Sequence, residues 1–210
     1  LSELYLYYES SYSLITQGNP DLTPEEVQAV ELRYEHPHSD AWSWSVSVFH
    51  NRYKNMIDFI YTIPVRAINR EGVIGMGSEF QFKWKPIDTL TFMGSYAYLD
   101  MTDRGGAPIL YRSKHRGQAN VRYQTALVNI QLGIQAWSKQ IYEDFLSGSH
   151  FDFPIRELPE RIIPELILSK KVSDFTGSVH ITNLFDTKYE LIQDFPMPGR
   201  AWQFNLTKAL

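Results

Sequence analysis

The chain of 210 residues contains no cysteine. That removes disulfides, thiolate metal sites and a cysteine nucleophile from consideration, and it decides nothing about compartment. No apolar run approaches the roughly 18 residues that a membrane-spanning helix needs. Helical periodicity is scarce as well. The best helix-like piece, Pro24-Glu25-Glu26-Val27-Gln28-Ala29, gives way at once to alternation in Val30-Glu31-Leu32-Arg33-Tyr34-Glu35. No basic run marks a polyanion partner, and a net charge of −4 gives no reason to expect nucleic acid. The opening residues, LSELYLYYESS, carry neither a positive stretch nor a small-residue cleavage site, so they do not read as a secretory signal.

Aromatic residues, by contrast, are plentiful: 13 Tyr, 12 Phe and 5 Trp. So is alternation. In AWSWSVSVF, Trp42, Trp44, Val46 and Val48 point one way and Ser43, Ser45 and Ser47 the other. Period 2 predicts strands at 25–36, 41–54, 69–86, 89–101, 115–126, 127–141, 160–173, 175–184 and 200–210. Each is about 10 residues or longer. Strands of globular proteins mostly run about 5–6 residues, whereas a tilted strand crossing a bilayer needs about 9–11.

The links between these strands alternate in length. Short ones fall at 37–40, 87–88, about 125–128 and 173–174; long ones fall at about 55–68, 102–114, 142–159 and 185–199. A meander of an outer-membrane barrel requires this, with short periplasmic turns and long extracellular loops. Tryptophan and tyrosine also gather toward strand ends, as interfacial girdles demand. A soluble sandwich explains aromatic enrichment but not that placement. Lipid, on this reading, covers Trp42 and Trp44.

The segment Gly18-Asn19-Pro20-Asp21-Leu22-Thr23-Pro24-Glu25 before an alternating strand resembles the GNPxLxPE signature of TonB-dependent outer-membrane receptors. The strings from Val48 to Asp58 and from Gly72 to Phe82 are similar to strings in that family. So are Asn183-Leu184-Phe185-Asp186-Thr187-Lys188-Tyr189 and Pro196-Met197-Pro198-Gly199-Arg200 before an aromatic last strand. The resemblance implies an all-β, antiparallel transmembrane β-barrel meander, about nine strands of a barrel of about 22 with a plugged lumen. Residues 1–24 would form an extracellular loop and residues 25–210 the C-terminal barrel strands, with the plug and N-terminal strands lying upstream. Leu210 stands where family members usually end in Phe.

The resemblance further implies a Gram-negative outer-membrane receptor, not an enzyme, with no cofactor. Its partners would be membrane lipid, the TonB complex through the plug, and a small-molecule cargo such as a metal chelate. A ferric siderophore is the expected cargo; cobalamin, a porin-like channel and a membrane enzyme remain alternatives, as does a soluble sandwich or lipocalin-like binder. Residues 1–19 hold no His, which argues against heme.

Candidate ligand contacts lie in the long loops. They are Arg104, Tyr111 and Arg112 in one and Tyr142, Phe145, Phe151, Phe153 and Arg156 in the next. Arginine and aromatic rings suit bulky anionic cargo through charge and stacking, although loop aromatics also pack on one another. Pro20 and Glu25 read as a structural turn at the rim. His36, His38 and Asp40 read as a solvated turn rather than a metal site. His180 reads as a wall residue, since no Ser–His–acid order is legible. Lys83, Lys85 and Glu79 are expected to form polar pairs on the lumenal side.

Overall fold

The computed structural model describes residues 7–9, 14–36, 39, 41–60, 64–144 and 153–209. Nine long strands succeed one another: β1 (Glu26–Glu35), β2 (Trp42–Lys54), β3 (Val73–Ile87), β4 (Leu90–Thr102), β5 (His115–Gln124), β6 (Asn129–Trp137), β7 (Arg161–Val172), β8 (Phe175–Thr182) and β9 (Ala201–Lys208). Each pairs antiparallel with its neighbours in the sequence, so the sheet is a plain meander from β1 to β9. Among the described residues it stays open at both borders. This is a strip of barrel wall, as the strand lengths predict.

Two expected boundaries move. The strand expected at 69–86 begins at Val73, because Gly72 turns the chain with φ +66°, a conformation that costs glycine nothing. Residues 69 and 70 belong instead to Val65–Arg70, which pairs with Met56–Ile60 inside the first long loop. The strand expected at 127–141 leaves the sheet after Trp137, and Gln140–Glu143 then pairs with Ile155–Leu158. The long loops therefore carry small hairpins of their own.

Opposed residues of an antiparallel pair share a face, so the register assigns each side chain to one side of the wall. One row of register partners reads Trp42–Trp84–Phe92–Val121–Leu132–Leu166–Ile181–Trp202. It starts near the short turns at β2 and finishes beside a long loop at β9. Strand tilt and shear cause this climb. The row therefore has tryptophan at both interfaces and aliphatic side chains between them. The opposite face reads Ser43–Lys83–Met93–Asn120–Gly133–Glu165, a mostly polar wall suited to a lumen.

Among the described residues, no second layer covers the apolar face. Trp42, Trp84 and Trp202 are 48%, 50% and 57% exposed. The accessible surface is 14383 Å², against about 10,000 Å² for a compact protein of this mass. The rings pack on each other instead: Trp84 on Phe92 at 5.2 Å and Trp44 on Phe80 at 6.3 Å between centroids. The small hydrophobic core lies at the loop end of the wall. There Met56, Val73 and Ile109 pack with Tyr53 and Met101. Tyr53, Val73 and Met101 lie on the lumenal face of their strands, so Ile109 draws the 103–114 loop in over the mouth.

Lys85, expected among lumenal polar pairs against the plug, has a partner in the neighbouring turn among the described residues: beside a register shift between Trp84 and Ile87 it bonds Asp88 at 2.7 Å. That hydrogen bond holds the Asp88 carboxyl below its ordinary range.

Candidate functional site at the loop end of the wall

The GNPDLTPE segment is bound to the first loop hairpin by side chains that satisfy backbone groups. Asn19 Nδ2 donates to the Ala67 carbonyl at 3.0 Å, and its Oδ1 accepts from Arg66 at 3.2 Å. Asn69 Oδ1 accepts from Thr23 N at 2.8 Å, while its Nδ2 donates to the carbonyls of Thr23 and Asn55. Glu25 accepts from Ile57 N at 3.0 Å. Pro20 and Asp21 form the expected turn, closed by Leu22 N on the Asn19 carbonyl. Asn69 is the partner that the sequence alone left unnamed. Arg70 bonds Asp58 within the hairpin at 2.9 Å and ties the hairpin to the second loop through Asp103 at 3.5 Å.

The expected contact residues divide into separate places. Tyr111 stacks on Tyr142 with 6.1 Å between ring centres, and burial pushes the Tyr142 phenol above its ordinary value. Arg156 lies across the hairpin from Tyr142 and bonds Asp144 at 2.6 Å. Gln193 also donates to Asp144, which ties in the last long loop. Arg112 instead lines a cavity of about 570 Å³ with Lys114, His115, Lys139, Asp100 and Glu157 among its walls. Hydrogen bonds that they donate to Asp100 and Glu157 hold the Lys114 and Lys139 ammonium groups above their ordinary range. Both lysines are thus engaged, whereas Arg112 has no ion pair among the described residues.

Arg104 stands on an exposed turn with its first side-chain carbons against Gly72, apart from the tyrosine pair. Phe153 is half-buried at the foot of Ile155–Leu158. Phe145 and Phe151 lie outside the described residues, as do Pro37, His38 and Asp40. His36 stacks on Trp44 with the ring planes 3° apart. His180 bonds Glu165 at 3.0 Å on the wall.

Sequence reasoning passed over three residues at the same rim. Trp137 sits directly opposite Arg116 on one side and Arg161 on the other. The Arg161 guanidinium lies 5.0 Å from the Trp137 ring centre and donates to Gln140 at 3.1 Å. Gln140 itself donates to the Tyr111 carbonyl. A signal was present: two arginines and a tryptophan at strand ends, all on the polar alternation.

A strip of transmembrane β-barrel wall with short turns at one end and mutually bound loops at the other defines an outer-membrane receptor or channel. The model of the TonB dependent receptor-like β-barrel matches residues 1–160, and the chain belongs to that family. Its members are receptors and transporters of the Gram-negative outer membrane, not enzymes, and this chain is an outer-membrane protein. The vitamin B12 transporter BtuB of Vibrio cholerae serotype O1 is 26% identical over 210 residues, covering 97% of this chain and 32% of that protein. The siderophore receptor PirA from Acinetobacter baumannii superposes with a TM-score of 0.72 at 18% identity, over 92% of this chain and 33% of that one. The ferripyoverdine receptor of Pseudomonas aeruginosa superposes with a TM-score of 0.72 at 15% identity, over 95% and 29%. The chain spans about a third of the length of the curated relatives it matches.

Proposed function

We propose that this chain forms the loop-bearing wall of a receptor that captures a scarce metal chelate, a ferric siderophore, for TonB-energised entry. Residues 1–24 are the extracellular approach and residues 25–210 the barrel strands; a plug within the lumen relays TonB's work. The observation that carries this reading is the lipid-facing row with tryptophan at both ends, joined to a loop end rich in arginine and tyrosine. Arg104, Tyr111, Arg112, Tyr142, Phe145, Phe151, Phe153 and Arg156 are the proposed cargo contacts. Chemistry favours the assignment: guanidinium forks and aromatic faces suit bulky anionic chelates.

Cobalamin is the second reading, favoured by the match to a vitamin B12 transporter. Uptake tests both. Cells that carry the chain within a plug-containing receptor are expected to accumulate labelled ferric chelate only while TonB is energised. Cobalamin accumulation in its place supports the second reading. Uptake of neither, or uptake that persists without TonB, refutes the proposal. The 210 residues alone in vesicles are expected to give no energised uptake.

A further inference from the structure

The lumenal face carries the row Glu79–Ala97–Arg116–Trp137–Arg161, read from one register partner to the next. Trp137 closes β6 and Arg161 opens β7, so the row meets the rim at its arginine end. Arg161 is 4% exposed, its Nε has no hydrogen-bond partner, and no carboxylate pairs with it among the described residues. Arg116 is exposed, and no hydrogen bond or ion pair engages it there. Among the described residues, two arginines thus neighbour Trp137 in register and neither has a counter-ion. An arginine cannot shed its proton, and the Gln140 amide oxygen and the Trp137 ring are neutral partners for the buried Arg161 charge, so an anion nearby is favoured.

Between Glu79 and Arg116 the small Ala97 leaves room. A cavity of about 250 Å³ lies there, lined by Glu79, Ala97, Arg116 and Trp137 with the amides of Gln118 and Gln135. Arg161 lies against the Trp137 ring, and the half-buried indole also lines this cavity. The geometry points to a subsite for an aryl anion: an aromatic ring on Trp137, with its carboxylate or phosphate held by Arg116, while Arg161, outside the cavity and over the indole, adds positive potential. Guanidinium forks match either group bidentately, and the ring gains by stacking. Glu79, two strand spacings or about 10 Å away, repels the anion from the far end and so fixes the ligand's direction. The rim position assigns this anion to cargo entering from the loop side. The inference rests on the reading of that rim as the cargo entrance.

Direct binding to the full chain in detergent tests it, with indole fluorescence as the signal and benzoate, phenyl phosphate, acetate, benzamide and benzylamine as probes. Benzoate and phenyl phosphate are expected to saturate at least about tenfold tighter than benzamide, the margin of a charge-assisted contact. Acetate is expected to bind more weakly than benzoate. Arg116→Gln, at an exposed and unpartnered position, is expected to weaken both aryl anions about tenfold without moving the melting temperature. It carries the test, because Arg161→Gln disturbs a buried residue; Trp137→Phe is expected to keep part of the affinity. Equal binding of benzoate and benzamide, or an Arg116→Gln variant that binds like the parent, overturns the subsite. Acetate binding as tightly as benzoate overturns the aryl part and favours an acidic side chain as the natural occupant. Anion binding that persists where energised uptake fails supports the subsite and refutes only the uptake reading; uptake without anion binding does the reverse.

Discussion

Leu166 lies near the middle of its strand and near the middle of the row that climbs from Trp42 to Trp202. If hydrocarbon solvates that face, Leu166→Arg puts a guanidinium near the bilayer midplane. Such a change on the lipid face of a barrel costs about 2–4 kcal/mol, and only about 0–1 kcal/mol near an interface. Trp202→Arg, at the end of the same row, is therefore expected to cost a fraction as much in charge placement. Ser169→Arg, opposite Asn129 on the lumenal face, is expected to stay within about 1 kcal/mol, because the lumen is wet. The assay is reversible unfolding of each variant from lipid vesicles in guanidinium. The Leu166→Arg loss corresponds to roughly a 30- to 1,000-fold shift in the folding equilibrium. A Leu166→Arg variant no less stable than Ser169→Arg refutes lipid on that face.

Other outcomes follow from the packing. A Cβ at Gly77 would run into the Tyr98 carbonyl and the Phe49 ring; Gly77→Ala is expected to lose about 1–3 kcal/mol by overpacking, read from the same unfolding curves. Asn69→Ala removes the partner of Thr23 N and two carbonyls; amide exchange at Thr23 is expected to speed at least about fivefold, with β5 to β9 unchanged. Burial raises the Tyr142 phenol, so the fold holds that proton longer than the unfolded chain does. Stability is expected to fall as pH climbs through 10, and Tyr142→Phe is expected to flatten this alkaline limb in a thermal-melt series.

The strands were legible because alternation is enforced twice, by lipid on one side and water on the other; Trp42 through Val48 and Val128 through Gln135 obey both. Where one constraint lapses, the signal fades. Residues 69–72, Asn-Arg-Glu-Gly, carry no apolar residue and so no period, and nothing local reveals that the chain has left one sheet for another. The loop hairpins were invisible for a related reason: strands such as Gln140–Glu143 have four residues, too few for a period. The candidate site was legible in composition but not in grouping. Arg112 and Arg156 look equivalent as letters, yet one lines a cavity and the other is held by Asp144. Arg116, Trp137 and Arg161 come together only through register, which no single strand encodes.

Among the described residues the strip has two raw borders, along β1 and β9. Each offers a ladder of amide and carbonyl groups that hydrocarbon leaves unsolvated, and every such group left bare in lipid costs several kcal/mol. The borders therefore behave as a seam that must be sewn by further polypeptide before the wall is at rest in a membrane. Whatever chain is stitched in along those two lines sets the bore of the finished pore.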